Sequence, residues 1–445
     1  MGRPRPGAFV ELDGRTLEGG GQLIRIALCL SALTGTPIKI TDIRGNRSSG
    51  GGLKAQHLAC VNWLAHACNA TTKGAEKGST TLVFEPGKVE GLSPAFKKKT
   101  LPGGREVYEC RLDIGTAGST GLALQAILPF ILFSKLPSAL PVRLTLSGGT
   151  NVSGSPSYEY ITQVLLPTLR RIGFPEMKTT MGKRGWSHGG SSIGNFTLDI
   201  PRRAASSLPA FHLHAAQPTS SKPEKPTHLH ATFVAPASCH EHFRTVLLPA
   251  IQHHFGTNYS ETEGAIPNLT VTCEGSMHEK RMYFILVATV PTTDAAHPTY
   301  TLGRDWLYDR KIRSHERAAT EMAERVTNEL ADEWLSSGWV DEHMRDQLVI
   351  FQALAAGRSE VWAGVDEDGE VREPSLHART AEWVAKQMLG VSFDSEGACE
   401  GVGYGCVHSG EQPQAQGGVE DAGCGEELAD GMERLAVERS SAHNQ

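Results

Sequence analysis

Along its first 175 residues the chain repeats one pattern: a short strand-like apolar run, a turn, then apolar positions spaced three and four residues apart. Residues 21–34 place Leu23, Ile26, Leu30 and Leu33 on one face, with Gly35 as the stop, and this spacing predicts a helix. A second helix follows "IRGNRSSGGG" and carries Leu53, Leu58, Val61, Leu64 and Cys68. A third begins at "GTAGSTG" and passes through Leu122 and Gln125 towards Pro129; a fourth covers 158–172 and ends at Gly173. In three of the four, a turn rich in glycine or serine precedes the helix. Strands alternating with helices predict an α/β (α+β) domain built from repeated strand-helix units.

The pattern changes near residue 183. Residues 183–296 are rich in histidine and proline and contain the loop "AAQPTSSKPEKPTHLH". Two strands, "LHATFVA" and "MYFILVATV", flank a helix around 240–254, so this segment reads as a smaller inserted α/β domain. Charged helical periodicity returns at "SHERAATEMAERVTNELADEWLSSG", followed by two shorter helices, "DEHMRDQLVIFQALAAG" and "LHARTAEWVAKQMLG". Residues 297–393 are therefore expected to complete the large domain begun by 1–182. From 394 to 445 glycine, glutamate and glutamine dominate, which predicts a mostly disordered acidic tail with "CEGVGYG" as one last short strand.

Composition changes this picture little. At 445 residues, 39% hydrophobic and 21% charged, the chain resembles an ordinary soluble globular protein. Its longest apolar run, "LALQAILPFILF", is interrupted by Gln125 and Pro129 and is too short to span a bilayer, so no membrane partner is expected. The start lacks an apolar signal core, and nine cysteines without a C-x-x-C pair fit reduced thiols, both expected of an intracellular protein. Cys29, Cys60 and Cys68 read as small core residues. A net charge of −6 argues against a polyanionic partner until its distribution is considered. The tail holds eleven acids and two bases, which leaves the body at +3, enough for a local polyanion site.

Four stretches carry candidate chemistry. "LEGGGQLIR" sets three glycines before a helix that bears Glu18 and Arg25, where backbone N–H groups can turn towards an anion. It matches neither the Walker A nor the dinucleotide fingerprint, and a plain tight turn is the simpler reading of this stretch alone. "IRGNRSSGGGLKAQH" places Arg44 and Arg47 before Lys54, Gln56 and His57; guanidinium forks with amide donors suit a terminal phosphate, and a solvated basic loop is the bland alternative. His377 stands near a helix start, with Ser375 as cap and Gly390 as stop, where the dipole favours a neutral, nucleophilic imidazole. Asp346 and Gln347 can orient an imidazole or bind ribose and base. The pairs His212 with His214 and His228 with His230, and the cluster Cys239, His240 and His242, have zinc-ligand chemistry. Nothing in the sequence brings them within mutual reach, and a hydrophilic surface is the simpler reading.

Taken in order, these stretches resemble the RNA 3′-terminal phosphate cyclase family. The resemblance rests on "LDGRTLEGGGQLIRIALCLSALTG", "IRGNRSSGGGLKAQHL", "KGAEKGSTTLVFEPGKVEG", "GTAGSTGLALQAILPFILF", "LSGGTNVSGSPSYEYI", and "VDEHMRDQLVIFQALAAG" with "SLHARTAEWVAKQM". "CEGVGYG" brings the chain closer to the eukaryotic members. The resemblance implies a large domain of repeated α/β units, similar to that of enolpyruvyl transferases, with a smaller inserted domain. It also implies an ATP-dependent ligase that converts an RNA 3′-phosphate to a 2′,3′-cyclic phosphodiester through a histidine–AMP intermediate and an RNA-adenylate, with Mg2+ or Mn2+. On this resemblance His377 is the nucleophile, and Gln125, Pro129, His343, Asp346 and Gln347 are the ATP and AMP contacts. Glu18 is the metal carboxylate, and Arg25, Arg44, Arg47, Gln56 and His57 grip the RNA end. A nuclear location, with cytoplasm as the alternative, is the expectation from eukaryotic relatives.

Departures from the family pattern set the rivals. Gly51 and Lys54 replace a proline and an arginine of the RNA-end loop, and "GVDEDGEVREPS" lengthens the approach to His377, which threatens to shift it. One alternative is a non-catalytic cyclase-like factor of rRNA processing, a class that lacks the histidine. Another is a metal-binding interaction protein built on the histidine-rich insert, which predicts stoichiometric zinc and no ATP chemistry.

Overall fold

The computed structural model describes residues 9–48, 50–203, 207–214, 223–256, 268–295 and 297–405. The acidic tail beyond 405 and the first half of the loop "AAQPTSSKPEKPTHLH" lie outside these residues.

The repeated pattern becomes a repeated topology. The first unit runs β1 (Val10–Asp13), α1 (Gly21–Thr34), β2 (Ile38–Thr41), α2 (Ala55–Ala67), β3 (Thr71–Lys73) and β4 (Leu82–Glu85), in sheet order β1-β2-β4-β3. Strands β1 and β2 are parallel, and the remaining pairs are antiparallel. After β5 (Lys97–Thr100), the second unit runs β6 (Glu106–Asp113), α3 (Thr120–Phe133) and β7 (Val142–Gly148). A broken helix follows: α4 (Tyr158–Tyr160), a π turn (Ile161–Leu165) and α5 (Leu166–Arg171). It leads to β8 (Lys178–Lys183) and β9 (Gly194–Ile200), and the sheet order β5-β6-β7-β9-β8 reproduces the first unit with one added edge strand. That edge is the lysine-rich β5, whose Lys98 and Lys99 pair with Glu106 and Glu109.

β10 (His212–Leu213) opens a third sheet that closes only after the histidine-rich segment. In between, β11 (His228–Ala235), α6 (His240–Phe255), β12 (Asn268–Gly275), β13 (Tyr283–Pro291), β14 (Thr299–Leu307) and α7 (His315–Leu335) form a sheet of order β12-β11-β13-β14 with two packed helices. The expected span of 183–296 differs from this layout at both ends. Strand β9 pairs with β7 of the second unit, and β14 pairs with β13 along nine residues, so the separate sheet takes a strand beyond 296. α7 follows it, because Ala319, Met322, Val326 and Leu330 bury their apolar stripe in the same core as Phe233, Phe243 and Phe284.

The chain then returns through α8 (Glu342–Leu354), β15 (Ala356–Val361), α9 (Leu376–Leu389) and β16 (Cys399–Val402). β15 runs parallel to β10 and antiparallel to β16. "CEGVGYG" thus supplies a strand at the end of the described chain.

α1 departs from its expected single apolar face. Every residue from Gln22 to Leu33 is buried, because the helix packs against α2, α3 and α9 at once. α3 also runs past Pro129 to Phe133 and is buried almost throughout. Proline removes one backbone donor, and packing on all sides offsets that loss. Cys29, Cys60 and Cys68 are buried core thiols, as their positions suggest. Among the described residues, no helix is long and apolar enough to cross a membrane.

Candidate active site

A cavity of about 1140 Å³ opens where the starts of α1, α2, α8 and α9 converge, and β14 and α7 contribute its far wall. Gly21 at the start of α1 and His377 in the first turn of α9 lie on one side of it; His343, Asp346 and Gln347 of α8 lie beside them. Of the residues singled out from the sequence, Glu18, Arg25, Arg44, Arg47, Gln56 and His57 also reach this cavity.

The glycines of the opening stretch are there because side chains crowd them. Gly19 holds a φ of +57°, which favours glycine. A Cβ on Gly20 would meet the Glu18 carboxylate at 2.0 Å, and one on Gly21 would meet Arg25 Nη1 and His57 Nε2 at 2.7 Å each. The turn therefore folds the backbone directly against the polar groups of the site.

His377 sits where the sequence placed it. Ser375 caps α9 by accepting a hydrogen bond from the Ala378 amide, and Gly390 ends the helix in the left-handed conformation. Burial, reinforced by Arg25 and Arg47, brings the imidazole from 6.5 down to about 4, so it is neutral at physiological pH. Its Nδ1 is 4.0 Å from Glu18 Oε1. The inserted "GVDEDGEVREPS" forms a separate feature ahead of α9. It closes as a hairpin through a Val365–Val371 bridge, and Arg372 anchors it to the buried Glu333 at 2.7 Å.

Glu18 is buried and forms an ion pair with Arg47 from the next loop. Its backbone amide donates to Thr380 Oγ1 of α9 at 3.2 Å, which ties the glycine turn to the helix that bears His377. The carboxylate borders the cavity beside Arg47, and a buried carboxylate so placed suits a hard divalent cation.

Behind the cavity wall lies a polar relay. Arg25 donates to Gln22 and, at 2.6 Å, to Gln125 Oε1; Gln125 Nε2 donates to Asp346 Oδ1 at 3.3 Å, and Gln347 Nε2 donates to the same oxygen at 2.6 Å. Burial raises Asp346 to about 6 and lowers Arg25 to about 10, so the guanidinium stays charged. Gln125 thus holds other site residues in place and does not itself line the cavity. The RNA-end candidates are held differently from one another. Arg44 spends its guanidinium on the carbonyls of Gly50 and Gly52, Gln56 accepts from the Ser119 amide, and Arg47 stays half-exposed. Burial, with Arg25 and Arg44 nearby, takes His57 down to about 3.

Pro129 is buried inside α3 and, like Gln125, does not line the cavity; Pro156, before the broken helix, does. The sequence reading also missed Arg304 of β14. It lines the cavity and donates to His343 Nε2 at 3.0 Å, while pairing with Glu333 and Glu342. Nothing local distinguishes this arginine; its role follows from the return of β14 beside α8. The remaining histidine clusters do not form a shared site. His228 and His230 bond Thr270 and Thr272 across to β12, whereas His240 and His242 bond Ala235 and Thr320.

Comparison with known proteins agrees with this arrangement. The family model for RNA 3′-terminal phosphate cyclase matches residues 16–395. A protein of Methanosarcina acetivorans named RNA 3′-terminal phosphate cyclase is 30% identical over 395 residues, covering 87% of this chain and 97% of its own. Proteins of the same name from Pyrococcus furiosus and Drosophila melanogaster are 29% and 30% identical, each across 87% of this chain and covering 96% and 92% of their own. With the family match spanning nearly the whole described body, and His377, Glu18 and Asp346 gathered at one cavity, the chain belongs to the RNA 3′-terminal phosphate cyclase family.

Proposed function

We propose that the protein uses ATP to convert an RNA 3′-terminal phosphate to a 2′,3′-cyclic phosphodiester, through adenylylated His377. The observation that carries this reading is the neutral imidazole of His377, set in the first turn of α9 at a cavity whose other walls bear arginines. Ordinary ligand pockets span roughly 300–1,000 Å³, and this one, at about 1140 Å³, has room for a nucleotide and the end of a strand together. The names of the relatives support the same substrate class.

In the first step an imidazole nitrogen of His377 attacks the α-phosphorus of ATP, a P–N bond forms, and pyrophosphate leaves. A 3′-phosphate oxygen of RNA then attacks that phosphorus and frees the imidazole, giving an RNA-adenylate. Finally the neighbouring 2′-oxygen attacks the 3′-phosphorus, loses its proton, and expels AMP. Activation replaces a poor leaving group with a good one. The closure is helped by proximity, an effect that reaches about 7–11 kcal/mol in well-oriented intramolecular reactions.

Within the site, Asp346, Gln347 and His343 would hold the nucleotide, with Gln125 positioning Asp346 and Arg25 from behind. Arg47, Gln56 and His57 would receive the terminal phosphate. Glu18 would hold a divalent cation, Mg2+ or Mn2+, which supplies charge neutralisation at the triphosphate.

The test is an RNA labelled in its 3′-terminal phosphate and incubated with protein and ATP. Label that becomes resistant to phosphatase supports the reading. Label that stays sensitive, with folded protein and either metal, overturns it in favour of a non-catalytic relative.

A further inference from the structure

We propose that His212, His214 and Glu360 form a zinc site that staples β10 to β15, remote from the chemistry at His377 and independent of the reaction assigned to it. His212 is directly opposite Glu360 in the parallel pairing of the two strands. His214, just past the end of β10, brings its ring to the same side, 5.6 Å from that of His212, while Leu213 and Val361 are buried in the core. Three ligands of types that zinc prefers, two imidazoles and a carboxylate, therefore share one side of the strand pair.

The distances suit one ion. Glu360 Oε2 is 3.3 Å from His212 Nδ1 and 2.8 Å from His214 Nε2, and the three ligand atoms lie within 4.8 Å of one another. Zinc–nitrogen bonds of about 2.0–2.1 Å in tetrahedral geometry set ligand atoms ~3.3 Å apart, so side-chain rotation alone can close the set. All three side chains are partly exposed, so an ion from solvent can reach them.

The carboxylate is also held ready. Arg358, on the same strand, donates to Glu360 Oε1 at 3.1 Å and to Asp394 at 2.7 Å. That contact occupies one oxygen and leaves Oε2 turned towards both imidazoles, the kind of outer contact that orients metal ligands. The backbone is fixed as well: the Glu360 amide donates to the Phe211 carbonyl at 2.9 Å, and the Trp362 amide donates to the Leu213 carbonyl at 2.9 Å. A bound ion would join the short strand before the inserted sheet to the strand that precedes the His377 helix, two segments far apart in sequence.

Zn2+ titrated calorimetrically into the metal-stripped full-length protein tests the site. We expect one saturable equivalent in the wild type and in His377→Ala, accompanied by a higher melting temperature. The double variant His212→Ala/His214→Ala should lose that equivalent and its thermal shift. The near-isosteric Glu360→Gln should bind at least about 10-fold more weakly while keeping the strand pair. Arg358→Ala should weaken binding by about 10-fold, as removal of an orienting contact does. An equivalent that survives the double variant, one that disappears in His377→Ala, or no saturable binding at all would overturn the proposal.

Discussion

Nδ1 of His377 lies 4.0 Å from Oε1 of Glu18, although one residue precedes the first helix and the other belongs to the last. The carboxylate alone would make the imidazole more basic, but burial and the guanidiniums of Arg25 and Arg47 outweigh it and take it down to about 4. The imidazole is therefore uncharged at neutral pH, as the proposed attack on ATP requires. Its C2 proton, followed by NMR, should titrate near pH 4, and the midpoint should rise in Arg47→Ala. A wild-type midpoint near 6.5 would contradict this electrostatic picture.

The same shift has a consequence for stability. The folded value lies below the unfolded one, so the unfolded chain binds the proton more readily between pH 6.5 and about 4. Acidification through that window should destabilise the fold, and His377→Gln should lessen the loss. Urea denaturation at several pH values measures both; an unchanged pH slope in the variant would count against the assignment.

Gly21 separates stability from function. Alanine is a better helix former than glycine by about 1 kcal/mol, yet its methyl would press on Arg25 and His57. Gly21→Ala should therefore melt no lower than about 2 °C below wild type while losing at least about 10-fold in kcat/KM for RNA. Wild-type kinetics would show that the close approach is unimportant.

Glu333 is 1% exposed and is paired with both Arg304 and Arg372. Arg372→Ala leaves it only Arg304 and the Glu342 amide, both on Oε1, and we expect a cost of about 1–3 kcal/mol, read as a lower urea midpoint. Shortening the exposed tip of the same hairpin at Glu367–Asp368 should change adenylylation by less than about twofold, because the Val365–Val371 bridge closes below it. A large fall in adenylylation on shortening would mean that the hairpin tip positions His377.

How much of this was legible beforehand depended on whether the signal was local. Gly21 and Gly35 bracket α1, and Ser375 and Gly390 bracket α9, so those helices were readable to the residue. The run of α3 past Pro129 to Phe133 was not readable, because burial on nearly every side of the helix is a tertiary effect with no sequence period. The membership of α7 in the second core was hidden for a related reason. Its apolar stripe is visible, but the sheet it covers is set by the pairing of β13 with β14. Arg304 and Glu360 likewise gain their importance from residues dozens of positions away.

The central claim is the covalent role of His377. Protein incubated with magnesium and ATP labelled at the α-phosphate, then run on a denaturing gel, should retain acid-labile label that is absent from His377→Ala. Label that persists in a folded His377→Ala variant, or that never forms on folded wild type with magnesium or manganese, would contradict it.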